Sequence, residues 1–204
     1  MDPNSFPTKG NLILAKNSLA LAKQGFDLMD KKRNILIKEL MDLISEASTI
    51  QSEIDHTFTT AYKALQIANI ELGIHAVEDI AASVPIEDSI QIKTRSIMGT
   101  EIPLVEYDKE NLKPTYAFYS TRQSLDDARA GFQKVKDLTI KLAMVENSAY
   151  RLATNIKKTQ KRANALKNIT IPHYQELSIT IANALEEKER EEFTRLKVIK
   201  RRQN

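Results

Sequence analysis

Apolar residues recur at alternating three- and four-residue steps over most of the chain. The first run passes through Leu12, Ala15, Leu19, Ala22, Phe26, Met29, Leu36 and Leu40, with Arg33 as its one polar interruption. It continues through Leu43, Ala47, Ile50, Ile54, Phe58, Ala61, Leu65, Ala68 and Leu72. A mean step of about 3.5 residues predicts a coiled-coil seam and not a half-buried strand. The two consecutive four-residue steps Ile50, Ile54, Phe58 form a local stutter that relaxes the supercoil. Pro7 suits the first helical position, Thr8 suits the cap, and no further proline occurs before Pro85. A helix over most of that interval is on the order of 100 Å long at 1.5 Å per residue.

Such a stripe cannot be hidden from water by one helix, and the chain carries its own mate. The spacing resumes at Leu125 and runs through Ala128, Phe132, Val135, Leu138, Leu142, Val145, Ala149, Leu152 and Ile156, then Ala163, Leu166, Ile169, Leu177, Ile181 and Leu185. Two helical segments of similar length predict an antiparallel pair, with both termini at one tip and residues 85–120 at the other. The many alanines of both seams favour close helix axes. Gly25, Gly73 and Gly131 fall inside the helical pattern, each costing about 1 kcal/mol against alanine; they read as tolerated glycines, with a close approach or a bend as the alternative. Pro172 removes a helix hydrogen bond and crowds the preceding turn, which predicts a kink.

The middle of the chain changes period. Ser83-Val84-Pro85 stops the helix, Ile90 and Ile92 alternate with Gln91 and Lys93, and Met98-Gly99-Thr100 marks a turn before Ile102, Pro103, Leu104, Val105 and Tyr107. The reading is a hairpin of two short strands, with Pro103 confined to an edge or bulge. A polar loop over 108–114 and an aromatic cluster, Tyr116-Ala117-Phe118-Tyr119, lead into the second helix. The fold expected is therefore all-α dominated: a long antiparallel two-helix coiled coil with a short β-hairpin insertion at the end opposite the termini. Residues 1–84, 85–120 and 121–204 are its helix, insertion and helix, forming one structural unit. A two-stranded hairpin is marginal alone, so it must lean on the coiled coil or on another protein.

Composition supports long helices: 28% of residues are charged, only 6% aromatic, and glycine and proline are sparse. With no cysteine, thiolate metal sites and cysteine nucleophiles are excluded. No apolar run approaches the roughly 20 residues of a membrane span, and no signal-peptide core is expected at the N-terminus. Net charge is +3, with the basic excess gathered in Arg195, Lys197, Lys200, Arg201 and Arg202. That tail lacks the interleaved aromatics of a nucleic-acid stripe and reads as a solvated or partner-facing end.

Catalytic chemistry is hard to find. No phosphate-cradling glycine loop is present, and His56, His75 and His173 stand far apart in sequence. The glutamates at 186, 187, 189, 191 and 192 fit a solvated helix with i,i+4 pairs better than a general-acid pocket. The sequence predicts a protein that is not an enzyme by itself and needs no cofactor or metal. Candidate partner-binding residues are Ile90, Ile92, Ile102, Val105 and Tyr107 of the hairpin and Arg195, Lys197 and Arg201 of the tail.

Two stretches carry a family resemblance. The run Thr159-Gln160-x-Arg162-x-Asn164-Ala165-Leu166, followed by Ile171-Pro172 and by Leu185-Glu186-Glu187-x-Glu189-Arg190-x-Glu192-x-x-Arg195-Leu196-Lys197, resembles the C-terminal signature of the D subunit of V-type rotary ATPases. The opening Pro7-Thr8-Lys9-x-Asn11-Leu12, with Asp30-Lys31-Lys32-Arg33, is similar to the start of the same family. The resemblance covers nearly the whole chain. It departs at Gln24-Gly25-Phe26, where the family commonly has a basic residue, glycine and histidine, and at Lys167, where an acidic residue is usual. The resemblance implies a central rotor stalk on the cytoplasmic side, peripheral to the membrane, carrying torque between an ATP-hydrolysing hexamer and a membrane ion-translocating ring. Its implied partners are the A and B subunits of that hexamer, the small F subunit, and a funnel subunit linking to the ring. Two rival readings of the residues are a coiled-coil scaffold and a nucleic-acid-associated protein.

Overall fold

The computed structural model describes residues 6–86, 88–107, 115–117, 119 and 121–203. In chain order the elements are α1 (Lys9–Leu72), α2 (Ile74–Ala82), β1 (Gln91–Ile97), β2 (Thr100–Glu106), α3 (Gln123–Ala165), a π-turn (Leu166–Thr170) and α4 (Ile171–Gln203). Two long helical stretches with a two-stranded antiparallel sheet between them are what the periodicity predicts. The expected loop over 108–114, and Phe118 of the aromatic cluster, lie outside the described residues. The chain forms two compact units, Leu36–Asn155 and the pair of segments Met1–Ile35 with Ile156–Asn204.

In the unit Leu36–Asn155, the second half of α1 runs antiparallel to α3. Ser124 Oγ donates to Glu71 Oε2 at 2.5 Å near one end of the pair. Further along, Phe58 meets Phe132 edge-on at 6.4 Å, and Ile50 and Ile54 close a cluster with Val145. Leu36 and Leu152 are fully buried, each side chain contributing roughly 1.5–3 kcal/mol relative to exposure. Every seam residue named for α1 and for Leu125–Ile156 is buried or half-buried. The apolar pattern passed over Ser148, which is just as buried. Its hydroxyl donates to the Met144 carbonyl at 2.7 Å, so the helix itself satisfies it.

Two glycines in this unit are more than tolerated. Gly73 has φ +85°, ends α1 and precedes α2, a backbone turn that a side chain would strain. At Gly131 an added Cβ would lie 2.8 Å from the Ala61 Cβ, so the glycine is the condition for that close helix approach. The short α2 returns Val77 to a cluster with Ala68 and Leu125.

The hairpin closes through Met98 and Gly99, both at positive φ (49° and 73°), as a two-residue type I′ turn demands. Ile97 pairs with Thr100, and the register continues to Gln91 opposite Glu106. Pro103 faces Thr94 three steps from the turn, a non-hydrogen-bonded position where its missing N–H breaks no ladder bond.

In the second unit, the first part of α1 runs antiparallel to the end of α3 and to α4. Thr8 caps α1, its Oγ1 accepting the Asn11 N–H at 3.2 Å; Pro7 precedes the cap and does not occupy the first helical position. Ala15, Ala22, Thr159, Ala163 and Ile181 are buried here. Just before Pro172, where a kink is expected, the helix widens into the π-turn, in which the Ile171 N–H reaches back five residues to the Leu166 carbonyl. The wider turn relieves the crowding a proline imposes on the preceding α-turn. It also re-phases the seam. Ile169, expected on it, is 69% exposed, while Thr170 and Ile171 are half-buried in its place.

Candidate partner-binding surfaces

The hairpin leans on α3 within its own unit. Asn155 Nδ2 donates to the Thr100 hydroxyl, and Arg151 Nη1 to the Glu101 carbonyl at 3.3 Å. Thr100 and Ile102 share one face of β2 and are both buried, which is how a sheet too small to stand alone is held. Ile102 therefore works as an anchor inside the unit. Ile92 and Val105, opposite each other in the register, occupy the other face; Ile92 is 72% exposed and Val105 half-buried. Ile90 is exposed just before β1, and half-buried Tyr107 follows β2 beside Ile140 and Met144 of α3. Lys93 Nζ and Glu106 Oε2, 2.5 Å apart, tie the open end of the hairpin diagonally across the strands.

At the base of α3, Tyr116 Oη donates to Asp126 Oδ1 at 2.6 Å, while Arg129 lies 5.1 Å from its ring centroid. Burial first, and then the hydrogen bond to Asp126, push the phenol above its ordinary value of 10.0.

The tail residues lie in the other unit. Lys9 Nζ sits 3.1 Å from Glu189 Oε1, so α4 runs on past the start of α1. Over 190–202 every residue is exposed. Arg195, Lys197 and Arg201 stand there on helix, interleaved with exposed Phe193, Leu196, Val198 and Ile199. Arg190 pairs with Glu186 at 2.5 Å and Arg195 with Glu191 at 3.7 Å, the i,i+4 pairing the charge pattern suggested. An overhanging helix bearing both apolar and cationic side chains offers a partner area as well as charge.

The polar interruption Arg33 has a structural role that its position alone did not disclose. Its Nη1 donates to Gln160 Oε1 at 2.9 Å across the pair, and its Nη2 meets Asp30 Oδ1 at 2.6 Å. Gln160 in turn donates to Asn164 at 2.8 Å. The two departures noted in the sequence also meet, Lys167 Nζ standing 5.9 Å from the Phe26 ring centroid.

Among the described residues, no three His, Cys, Asp or Glu side chains gather where they could hold a metal ion. His75 lies 3.9 Å from Glu78, and His173 packs edge-on to Tyr174. No described helix is long and apolar enough to cross a membrane.

Long helices paired in each unit, with a small hairpin laid on one of them, define a paired-helix protein. The family model for the D subunit of ATP synthase matches residues 11–201, and the chain belongs to that family. It is 44% identical to the D subunit of a V-type ATP synthase from Thermotoga neapolitana, over 95% of this chain and 96% of that protein. It is 38% identical to the D subunit of an A-type ATP synthase from Pyrococcus furiosus, over 95% of this chain and 92% of the relative.

Proposed function

We propose that this chain is the central rotor stalk of a V-type ATPase, a non-catalytic part that transmits torque between the A/B hexamer and the membrane ion-translocating ring. The observation that carries the reading is the family match along residues 11–201, on a chain built mostly from paired helices. In this reading the overhanging α4, with Arg195, Lys197 and Arg201, enters the cavity of the hexamer. The F subunit binds the paired helices farther down. The hairpin, presenting Ile90 and Ile92, lies toward the funnel subunit and the membrane, and the chain is cytoplasmic and peripheral.

The physical logic follows from asymmetry. A pair of unlike helices presents different faces to three surrounding nucleotide sites, so its orientation biases which site is open and which is closed. Occupancy of the sites then biases the orientation in return. The stalk binds no nucleotide and makes or breaks no bond.

The decisive experiment is affinity purification of the tagged chain with mass spectrometry. The A, B and F subunits should come with it, and ATP hydrolysis by the recovered complex should depend on the chain. Recovery of the chain as a self-assembled filament, with none of those subunits, would sink the reading.

A further inference from the structure

The face of β2 that meets α3 is not held evenly along its length. At the turn end Thr100 is 7% exposed and Ile102 8%, whereas Leu104, next on the same face, is 38% exposed. The hydrogen bonds to α3 lie at that end too, from Asn155 and Arg151 to Thr100 and Glu101. Toward the open end of the hairpin, strand and helix enclose a cleft of about 540 Å³. Small-ligand sites span about 300–1,000 Å³. Ile140 and Met144 of α3, with Leu104 and Val105 of β2, give the cleft apolar walls. The charged side chains among its described lining are Glu106 and Lys141. Glu106 is already held by Lys93. Lys141 is exposed and makes no ion pair among the described residues. Asp137, one turn before it, keeps its Oδ1 buried and does not pair with it.

We propose that this cleft is a binding site for a small amphipathic anion, a carboxylate on a single aliphatic chain. The apolar walls take the chain, and the Lys141 ammonium at the lip takes the carboxylate. Apolar walls with one placed polar group are the usual make-up of a small-ligand site. The free charge selects the ligand. A neutral amphiphile would leave the ammonium without a counter-charge, and a cationic one would be repelled. A membrane lipid with two long chains exceeds the space. A ligand seated here touches strand and helix at once, at the end where their own contacts are fewest. Binding to the closed arrangement therefore stiffens the hairpin's attachment to α3. The site lies wholly inside the unit Leu36–Asn155, and the proposal does not rest on the rotor reading.

Decanoate, kept below its micelle concentration, is the probe, and the full chain with isotope-labelled methionine methyls is the reporter. The Met144 signal should shift saturably, as one class of site, while exposed Met41 stays in place. Amide exchange in β1 and β2 should slow at saturation. Decanol should bind more weakly, and decyltrimethylammonium more weakly still. Lys141→Gln should weaken decanoate binding about fivefold, as loss of an ion pair at an exposed lip does, and leave decanol unchanged. Leu104→Trp fills the cleft from a strand position that suits an aromatic ring, and should block all three probes. If circular dichroism shows that the tryptophan disturbs the fold, Lys141→Gln alone decides. No shift at Met144 would overturn the proposal. So would equal shifts at Met144 and Met41, the mark of adsorption to any apolar surface, or unchanged decanoate affinity in Lys141→Gln. A Met144 shift produced by anionic phospholipid vesicles would assign the cleft to membrane lipid and refute the free anion. These readings are made on the chain by itself, so failure to recover the A/B hexamer would leave them standing.

Discussion

Lys167 places its ammonium over the ring of Phe26, 5.9 Å from the centroid, joining the two helices where both residues depart from the family's usual types. The resemblance leads one to expect a histidine and an acidic residue at these two positions; in this chain a ring and a cation meet across them.

The pair should therefore behave as a unit. At an exposed site a cation–π contact is worth about 0.5–1 kcal/mol. Lys167→Glu alone, and Phe26→His alone, should each lower stability by about that amount. The double substitution should recover part of the loss near neutral pH, and a double-mutant cycle in urea reads the coupling. Strict additivity would show that the contact contributes nothing.

Glycine at 131 should be irreplaceable where glycine at 25 is not. Gly131→Ala drives a methyl into Ala61, with the Ala61 backbone only 3.2 Å away. Overpacking of about 1–3 kcal/mol then opposes a helix-propensity gain of roughly 1 kcal/mol. At Gly25 the added methyl meets only Leu166 Cδ1, at 3.8 Å. Gly25→Ala should raise the melting temperature by about 2–4 °C, following the propensity gain in a chain of this size. Gly131→Ala should leave it unchanged or lower it.

The two faces of the hairpin should separate stability from function. Ile102→Ala removes the buried anchor and should loosen the strands by about 2 kcal/mol, read as faster amide exchange in β1 and β2. Ile92→Ser, on the exposed face, should change stability by less than about 0.5 kcal/mol. Under the rotor reading, a complex carrying Ile92→Ser should nonetheless pump fewer ions per ATP in vesicles. Wild-type pumping would remove Ile92 from the working surface.

Tyr116 gives the chain a pH signature at the alkaline side. Its phenol is raised above 10.0, so the folded state holds the proton more tightly than the unfolded state does. The resulting stability is fully present below the ordinary tyrosine value and is lost as pH rises through the higher folded one. Tyr116→Phe should abolish that alkaline decline. Ultraviolet titration of the phenolate, compared between the two proteins, locates the transition.

The seams were legible because burial along paired helices follows a period, and every position named from Leu12 to Leu72 and from Leu125 to Ile156 lies in or beside the interface. The hairpin was legible because Met98-Gly99 sits between two alternating runs. What escaped was contact across the chain. Nothing local to Thr100 reveals that it meets Asn155, or local to Gly131 that Ala61 is its neighbour. Thr159 and Ser148 were passed over because a small polar residue can fill a seam position without disturbing the apolar count. The candidate surfaces divide the same way. Charge placed Arg195, Lys197 and Arg201 on an exposed end, whereas strand alternation could not say which of Ile92 and Ile102 faces the helix.

The π-turn at Leu166–Thr170 holds one residue more than the α-helical path it replaces. Deleting one residue elsewhere in α4 would swing everything beyond it around the axis by about 100°, turning Ile181 and its neighbours out of the interface. Deleting one within the π-turn would let the helix close into regular α-turns with both flanks still in phase. The cost would be local, the return of Pro172's clash with the carbonyl four residues before it. The helix thus has one place where its length can be edited in evolution by a single codon without rewriting the pairing on either side.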